Sequence, residues 1–591
     1  MLLVTTALEK TWGQTQKILF LGGWCKLYAR KHIWQTRSHE TLDYNWDDKE
    51  LLRSDSIWLD KAYEQLLPEL TDALNGIHGT SHTDKYWRVL VGPWLGFFIQ
   101  IAFQRWSSIE NATRNFTVSE TILITDRLFY LVPNDILEFV EFFSGDEWNH
   151  YICGRIIQFQ NKLTCHFLSQ DFLDKDITPT PKKYSLAYKS KRFLLVTWNM
   201  CLLPFTSNKD SLFVATGLPK IKELLLKIRM GQMPQYSMSV DVPKITINAD
   251  LRRWRLVGSG FTDFEAFIRE IIPSQIPKAY VEGYGEIIKS VKSLRWPKSP
   301  KIIFTAVGHV YDDVAKLYMA DKLETGSGLV IGQHGGGAFH ATNFQTEHEL
   351  MICNQYLSPG IGNTWHPKVR SVGQLFARRW VSNRSGNGLL MQLGTPRYSF
   401  SISSTYQSDD FNKYMVEQER FVMALPSQIR NSFTVRLTST DNLWGSAQRW
   451  GDLFPEVLVD QGAKDIHLLF SEAKIIVCTY AGTTYNQTLA ANAPTLIFWN
   501  RKYERLHTSV DTSLEELIRV GIFHETPESA AAHITRIWGN IDAWWLSAEV
   551  QYARERYCLR YAYLPADLLN RIETALREAM LTTSQNMPVP L

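Results

Sequence analysis

The sequence predicts an α/β protein with parallel sheets, divided into at least two domains. Its 591 residues exceed what one hydrophobic core normally serves, and 45% apolar with 21% charged residues is an ordinary balance for a folded globular chain. Short β-branched runs ending in small or polar residues recur in the second half: "KIIFTAVG", "GLVIGQHGGG", "LLMQLGTP", "SFTVRLTS", "KIIVCTYAG" and "PTLIFWN". Helical or loop-like segments separate them, and that alternation marks βα units on a parallel sheet.

In chain order, "LLVTTA" and "KILFLGGW" read as short buried strands, the second breaking at a glycine pair. From about residue 50 to 160 the period becomes helical. "LDKAYEQLLPELTDALNGIHG" closes on glycine, and "VPNDILEFVEFFSG" has Asn134 or Asp135 as its cap and Gly145 as its stop. Further helices are expected at "LPKIKELLLKIRMG", at "DFEAFIREIIP" and around Tyr284 to Leu294. After the βα region the C-terminus returns to helix, with Thr526 as a cap and Pro527 in the first turn. "LPADLLNRIETALREAM" follows, and the tail beyond Leu581 is expected to fray. The expected division is 1–365, an α/β domain with large helical insertions; 366–545, a Rossmann-like domain; 546–580, helices packing back across both; and 581–591, a tail.

Charge and cysteine content narrow the function. Lys and Arg number 63 against 60 Asp and Glu, without a basic block, so no electrostatic footprint for nucleic acid is present. Seven cysteines are scattered singly, which suits a reducing compartment and neither a disulfide framework nor a zinc site. No signal-peptide pattern opens the chain, and runs such as "VLVGPWLGFFIQIAF" fall short of the roughly 20 residues that cross a bilayer. A cytoplasmic protein is expected, with peripheral contact at the inner membrane left open.

Two stretches carry the chemistry. In "LVIGQHGGGAFHATN" a buried strand runs through Gln333 to His334 and then three glycines. At the carboxyl end of a parallel strand, Gly335 and Gly336 admit a ligand close to backbone N–H groups. In "AKIIVCTYAGTTYNQTLAANAPTLIFWN", Gly482, Thr483 and Thr484 stand at the turn into a short helix, a place suited to phosphate without a P-loop lysine. Thr483 is equally well placed as a plain N-cap. Arg436 ends another strand and can clamp an anion. Lys26, Arg30, Arg88 and Trp94 are polar or aromatic interruptions of the N-terminal half. Asp312 and Asp313, and Glu347 and Glu349, supply carboxylates; on a helix the last two point different ways. His334, His340 and His348 have no metal-ligand spacing, and "DKD" at Asp174 to Asp176 is the one hint of a metal–diphosphate motif.

"TTALEKTW…KILFLGGWCKLY", "YWRVLVGPWL", "VIGQHGGG" and "TYAGTTYNQTLAANAPTL" together resemble a family of bacterial transferases encoded in O-antigen and surface-polysaccharide gene clusters. That family is similar to GT-B-like glycosyltransferases, including Kdo transferases that use CMP-sugars. The resemblance runs nearly end to end. Departures from its pattern are Gly23 in "LGGWC", where an acidic residue is expected, and Ala338 in place of a tyrosine. The resemblance implies a GT-B-like pair of Rossmann-like domains facing a cleft, metal-independent and without a cofactor. The expected reaction transfers a CMP-activated ulosonic acid (Kdo or a nonulosonic acid) to a lipopolysaccharide, O-antigen or lipid-linked glycan. The expected roles are His334 with Asp313 or Glu349 in catalysis, Gly335, Gly336, Arg436, Gly482, Thr483 and Thr484 on the nucleotide phosphate, and Lys26, Arg30, Arg88, Trp94 and Gln333 on substrate. The alternatives are a CDP-polyol phosphotransferase of GT-B-like fold and a non-catalytic polysaccharide-assembly binding protein.

Overall fold

The structure is a computed structural model. It describes residues 1–14, 17–125, 131–168, 186–258, 262–335, 344–360, 366–376, 378, 380–383, 386–403, 406–407, 409–501, 506 and 510–585. Three parallel sheets account for the strands, so the α/β class read from the alternation is the one observed.

The first sheet joins β1 (Leu2–Val4), β2 (Ile18–Phe20), β3 (His39–Thr41), β4 (Glu120–Ile124) and β5 (Thr164–Leu168) in the order 3-2-1-4-5. The second joins β6 (Leu212–Phe213), β7 (Ile302–Thr305), β8 (Gly328–Gly332), β9 (Gln355–Ser358) and β10 (Val369–Ser371) in simple sequential order. The third joins β11 (Gly388–Met391), β12 (Phe433–Arg436), β13 (Leu458–Asp460), β14 (Ile475–Cys478), β15 (Thr495–Phe498) and β16 (Phe523–His524) in the order 13-12-11-14-15-16. The stretch expected to be one α/β domain with helical insertions carries the first sheet and all but the last strand of the second. β4 and β5 had no reading of their own because each is short and follows a strongly helical run.

The helix Gly92–Asn115 explains why two sheets act as one unit. Trp94, Leu95, Phe98 and Ile101 on it are fully buried, and they belong to one apolar core that takes in Leu3 and Leu19 of the first sheet and Ile303 and Leu329 of the second. With the preceding helix Asp84–Leu90 it forms a bent pair apolar enough for a membrane, but that apolarity serves the core. Among the described residues no single helix is long and apolar enough to cross a bilayer.

The third sheet has its own core of Leu390, Val435, Ile476 and Ile497. The last helix, Leu568–Gln585, returns to the second sheet, where Leu568, Ile572 and Leu576 pack with Phe213, Phe304 and Val330. Local signals are visible throughout. The helix Lys49–His78 stops at a left-handed Gly79, Asp135 caps Ile136–Ser144, and Thr526 with Pro527 opens Pro527–Ile537.

Candidate functional site

In the third sheet the chain leaves β11 in one direction and returns to β14 on the other side. That makes the β11–β14 boundary a topological switch point, and the crevice at its carboxyl ends is where doubly wound sheets receive ligands. Met391 and Cys478 end the two strands side by side. Beyond Cys478 the chain turns through Tyr480 and Gly482 into the helix Thr483–Ala490. Its N-cap is Gly482, with no side-chain cap, so Thr483 is the first helical residue and not the cap. The Thr484 hydroxyl is 3.1 Å from the Tyr480 hydroxyl. Asn486 donates to the Gly482 carbonyl at 3.1 Å and accepts from Tyr557 at 3.1 Å, which fixes the turn from behind.

The second sheet meets this crevice through β8, its central strand. Gln333 follows β8; its backbone N–H bonds the Leu357 carbonyl at 2.8 Å, and its amide donates to the Gly335 carbonyl at 3.1 Å. The Gln333 Oε1 is buried without a partner. Gly335 adopts φ +76°, the left-handed conformation glycine tolerates. A Cβ placed on it would lie 2.8 Å from Thr483 Oγ1. The two stretches singled out in the sequence are thus in contact across the junction of the second and third sheets. Gln374 ties the same junction, donating to the Asn486 carbonyl at 3.1 Å and accepting no role from sequence pattern. Gln333, Gly335, Gln374, Phe376, Thr483 and Asn486 line one crevice here.

His334 has its surface open to solvent and its ring edge-on to Phe376, centroids 5.2 Å apart. The packing beneath it lowers its pKa by desolvation; Glu349 opposes this shift and His309 adds to it. Behind it, Glu349 is buried and accepts from His309 Nε2 at 2.9 Å and from Gln345 at 3.0 Å. Glu347 points to solvent. Glu349 is thus buried behind His334 and does not line the crevice. His309 follows a strand end in "FTAVGH", the same signal that marked His334, and was legible; Gln374 and Phe376 sit in a loop that carries no such signal.

Other expected residues are engaged elsewhere. Asp313 is buried, paired with Lys316 at 2.6 Å, and accepts from the Tyr280 hydroxyl at 2.6 Å and the Ile136 N–H at 2.9 Å. Such a carboxylate ties a core together and cannot reach a substrate. Asp312 caps its helix through the Ala315 N–H at 2.9 Å. Arg436 pairs with Asp460 of the neighbouring strand and donates to the Lys464 carbonyl at 2.8 Å; β12 also lies on the side of β11 away from β14, so it does not serve the phosphate cradle. Arg30 is bidentate to Glu9 at 2.6 Å. Arg88 is bidentate to Glu64 at 2.7 Å and lies over Tyr63. Trp94 is fully buried and stacked on Phe98, which makes it core and not a sugar platform. Lys26 follows the turn Gly23–Cys25 on the carboxyl side of the first sheet. Gly336, His340 and the "DKD" stretch lie outside the described residues.

The first sheet has a switch point of its own between β1 and β4, and it is sealed. Trp24 donates to the Thr5 carbonyl at 2.9 Å, His150 meets the Thr5 hydroxyl at 3.1 Å, and Asp146 accepts from the Ala7 N–H at 3.1 Å. Asp146 also takes Arg397 and Tyr398 from the segment after β11. This closed network fastens the first sheet to the segment that leaves β11 of the third. Among the described residues, no group of three or more His, Cys, Asp or Glu side chains is placed to hold a metal ion.

The family model of the LIC12162 family transferases matches residues 1–573. The chain belongs to the LIC12162 transferase family. No curated protein matches this LIC12162 family transferase in sequence. Among solved structures, the crystal structure of Acinetobacter baumannii MurG is 11% identical, covers 63% of this chain and 99% of its own, and gives a TM-score of 0.31. Spinosyn rhamnosyltransferase SpnG, complexed with spinosyn aglycone, is 10% identical, covers 50% of this chain and 76% of its own, and gives a TM-score of 0.27. At such scores neither likeness bears on the chemistry of this LIC12162 transferase.

Proposed function

We propose that this transferase is a glycosyltransferase that takes a nucleotide-activated sugar as donor, with a CMP-linked ulosonic acid as the donor class and a surface-polysaccharide or lipid-linked glycan as acceptor. The observation that supports it is the contact of Gly335 with Thr483. It sets a histidine at a strand end against a helix start without a side-chain cap at a switch point, the arrangement expected of a site for an anionic donor. The donor phosphate would rest on the N–H groups of Thr483 and Thr484. His334 would be neutral in the empty site, because desolvation disfavours its charged form. An arriving phosphate or sugar carboxylate reverses that preference, so the imidazole gains its proton together with the ligand. The resulting imidazolium and the backbone N–H groups would then stabilise charge on the departing phosphate. Gln333 would hold the loop, and the buried Glu349–His309 pair would support it from behind.

A thermal-shift screen against CMP, CDP, UDP, GDP and TDP tests the reading. The expected result is a rise in Tm with CMP that is absent in Thr483→Val/Thr484→Val. No shift with any nucleotide would remove the donor site and leave a binding protein. Product analysis then separates sugar transfer from phosphodiester formation by a CDP-polyol phosphotransferase.

A further inference from the structure

We propose that the helix Leu186–Leu202, with its extension Leu203–Phe205 and the neighbouring helix Lys220–Arg229, docks this protein on an anionic lipid surface. The surface goes beyond the transfer reaction and stands without it. The segment 193–205 reads "FLLVTWNMCLLPF" and is a short apolar helix whose large side chains the fold leaves mostly exposed. Phe193 is 70% exposed, Leu194 67% and Phe205 69%, and Trp198 and Met200 are also exposed. None of these residues belongs to any of the three apolar cores.

Hydrogen bonds tie the helix to the segment 234–236. Asn199 donates to the Tyr236 carbonyl at 2.7 Å and accepts from its N–H at 2.9 Å, and Trp198 Nε1 donates to the Pro234 carbonyl at 3.0 Å. Between helix and body lies a cavity of about 1010 Å³, with Val196, Met200 and Leu203 on one wall and Ile288 and Trp296 on the other. The helix Lys220–Arg229 adds Ile221, Leu225 and Ile228, spaced to share one face.

The occupant follows from length and charge. Residues 193–205 span about 20 Å as helix, short of the ~30 Å hydrocarbon core. Such a segment lies along an interface and does not cross it. Between residues 186 and 233 the sequence holds eight Lys and Arg against Asp210 and Glu223; Glu223 and Lys227 are both buried, while Lys209 and Lys220 are exposed. An apolar segment in so basic a stretch of sequence fits anionic headgroups over acyl chains. A second copy would instead bring like charges together.

Sedimentation of the full-length protein with phosphatidylcholine vesicles, with and without phosphatidylglycerol, tests the proposal. Binding is expected with phosphatidylglycerol, falling as salt is added, and weak with phosphatidylcholine alone. Phe193→Ser/Leu194→Ser/Phe205→Ser should lower the affinity on the order of a hundredfold with thermal unfolding unchanged, because these side chains are exposed. Lys220→Ser/Lys222→Ser should lower it roughly thirtyfold and flatten the salt dependence. Absence of binding to phosphatidylglycerol vesicles, equal binding to neutral ones, or retention of binding by the triple variant would overturn the proposal. So would a dimer that the triple variant converts to monomer without any vesicle binding.

Discussion

Gly335 and Thr483 come so close that a methyl group on the glycine would stand 2.8 Å from the threonine Oγ1. Gly335 also holds φ +76°, which costs an alanine about 1–2 kcal/mol. Gly335→Ala should therefore lower stability by both effects and weaken nucleotide binding. Gly335→Ala/Thr483→Ala removes the oxygen but not the dihedral strain, so it should recover roughly half of the stability lost, measured by denaturant unfolding as a double-mutant cycle. Strict additivity of the two changes would show that the residues do not press on one another.

His334→Ala should abolish transfer and leave thermal stability nearly unchanged, since the side chain is open to solvent. Nucleotide binding at about pH 6, near the ordinary histidine pKa, should take up more protons in the native protein than in the variant. Calorimetry in buffers of different ionisation enthalpy reads this directly. Equal proton uptake in both proteins would take the charge-stabilising role away from His334.

Asp313→Asn should behave in the opposite way. Lys316 would remain fully buried without its carboxylate, a loss of roughly 3–5 kcal/mol, while CMP affinity of the folded fraction stays the same. Urea midpoints with binding measured well below the transition check both halves. An intact, stable variant without transfer activity would return Asp313 to the list of catalytic residues.

Mild acid should destabilise the fold. Burial pushes His150, His524 and His533 down to about 4 each. Above the ordinary histidine pKa of about 6.5 neither folded nor unfolded chain is protonated at these rings. As pH falls from there toward 4 only the unfolded chain gains the protons, so stability is lost across that interval, up to roughly 3 kcal/mol per ring. Below it the folded rings titrate too and the loss levels off. Urea midpoints from about pH 7.5 to 4.5 measure the slope, and a flat profile would contradict the burial of these rings.

The sequence was most informative where chemistry is local. Runs such as "KIIVCTYAG" carry strand and strand end in one stretch, and both glycine-bearing turns of the crevice were found that way. Arg88, Arg436 and Asp313 misled because a charge in an apolar run looks the same whether it faces a cleft or a partner. Their partners, Glu64, Asp460 and Lys316, are set by folding. Trp94 misled for a related reason: a ring for stacking on sugar and a ring for stacking on Phe98 have the same letter. Gln374 and Phe376 could not be found at all, because only the junction of two sheets gives them a role.

The last helix bears on how this chain is made. β10 ends at Ser371, but the apolar face of the second sheet, part-covered by Leu218 and Leu226, receives the rest of its cover only from Leu568 onward. At ~5–20 residues per second of synthesis, that face waits roughly ten to forty seconds on the ribosome while the entire third sheet is being built. Phe213, Phe304 and Val330 are then a surface for chaperones before they are a core. A ribosome stalled between Gly388 and Leu568 holds a chain with three sheets begun and one of them only part-covered.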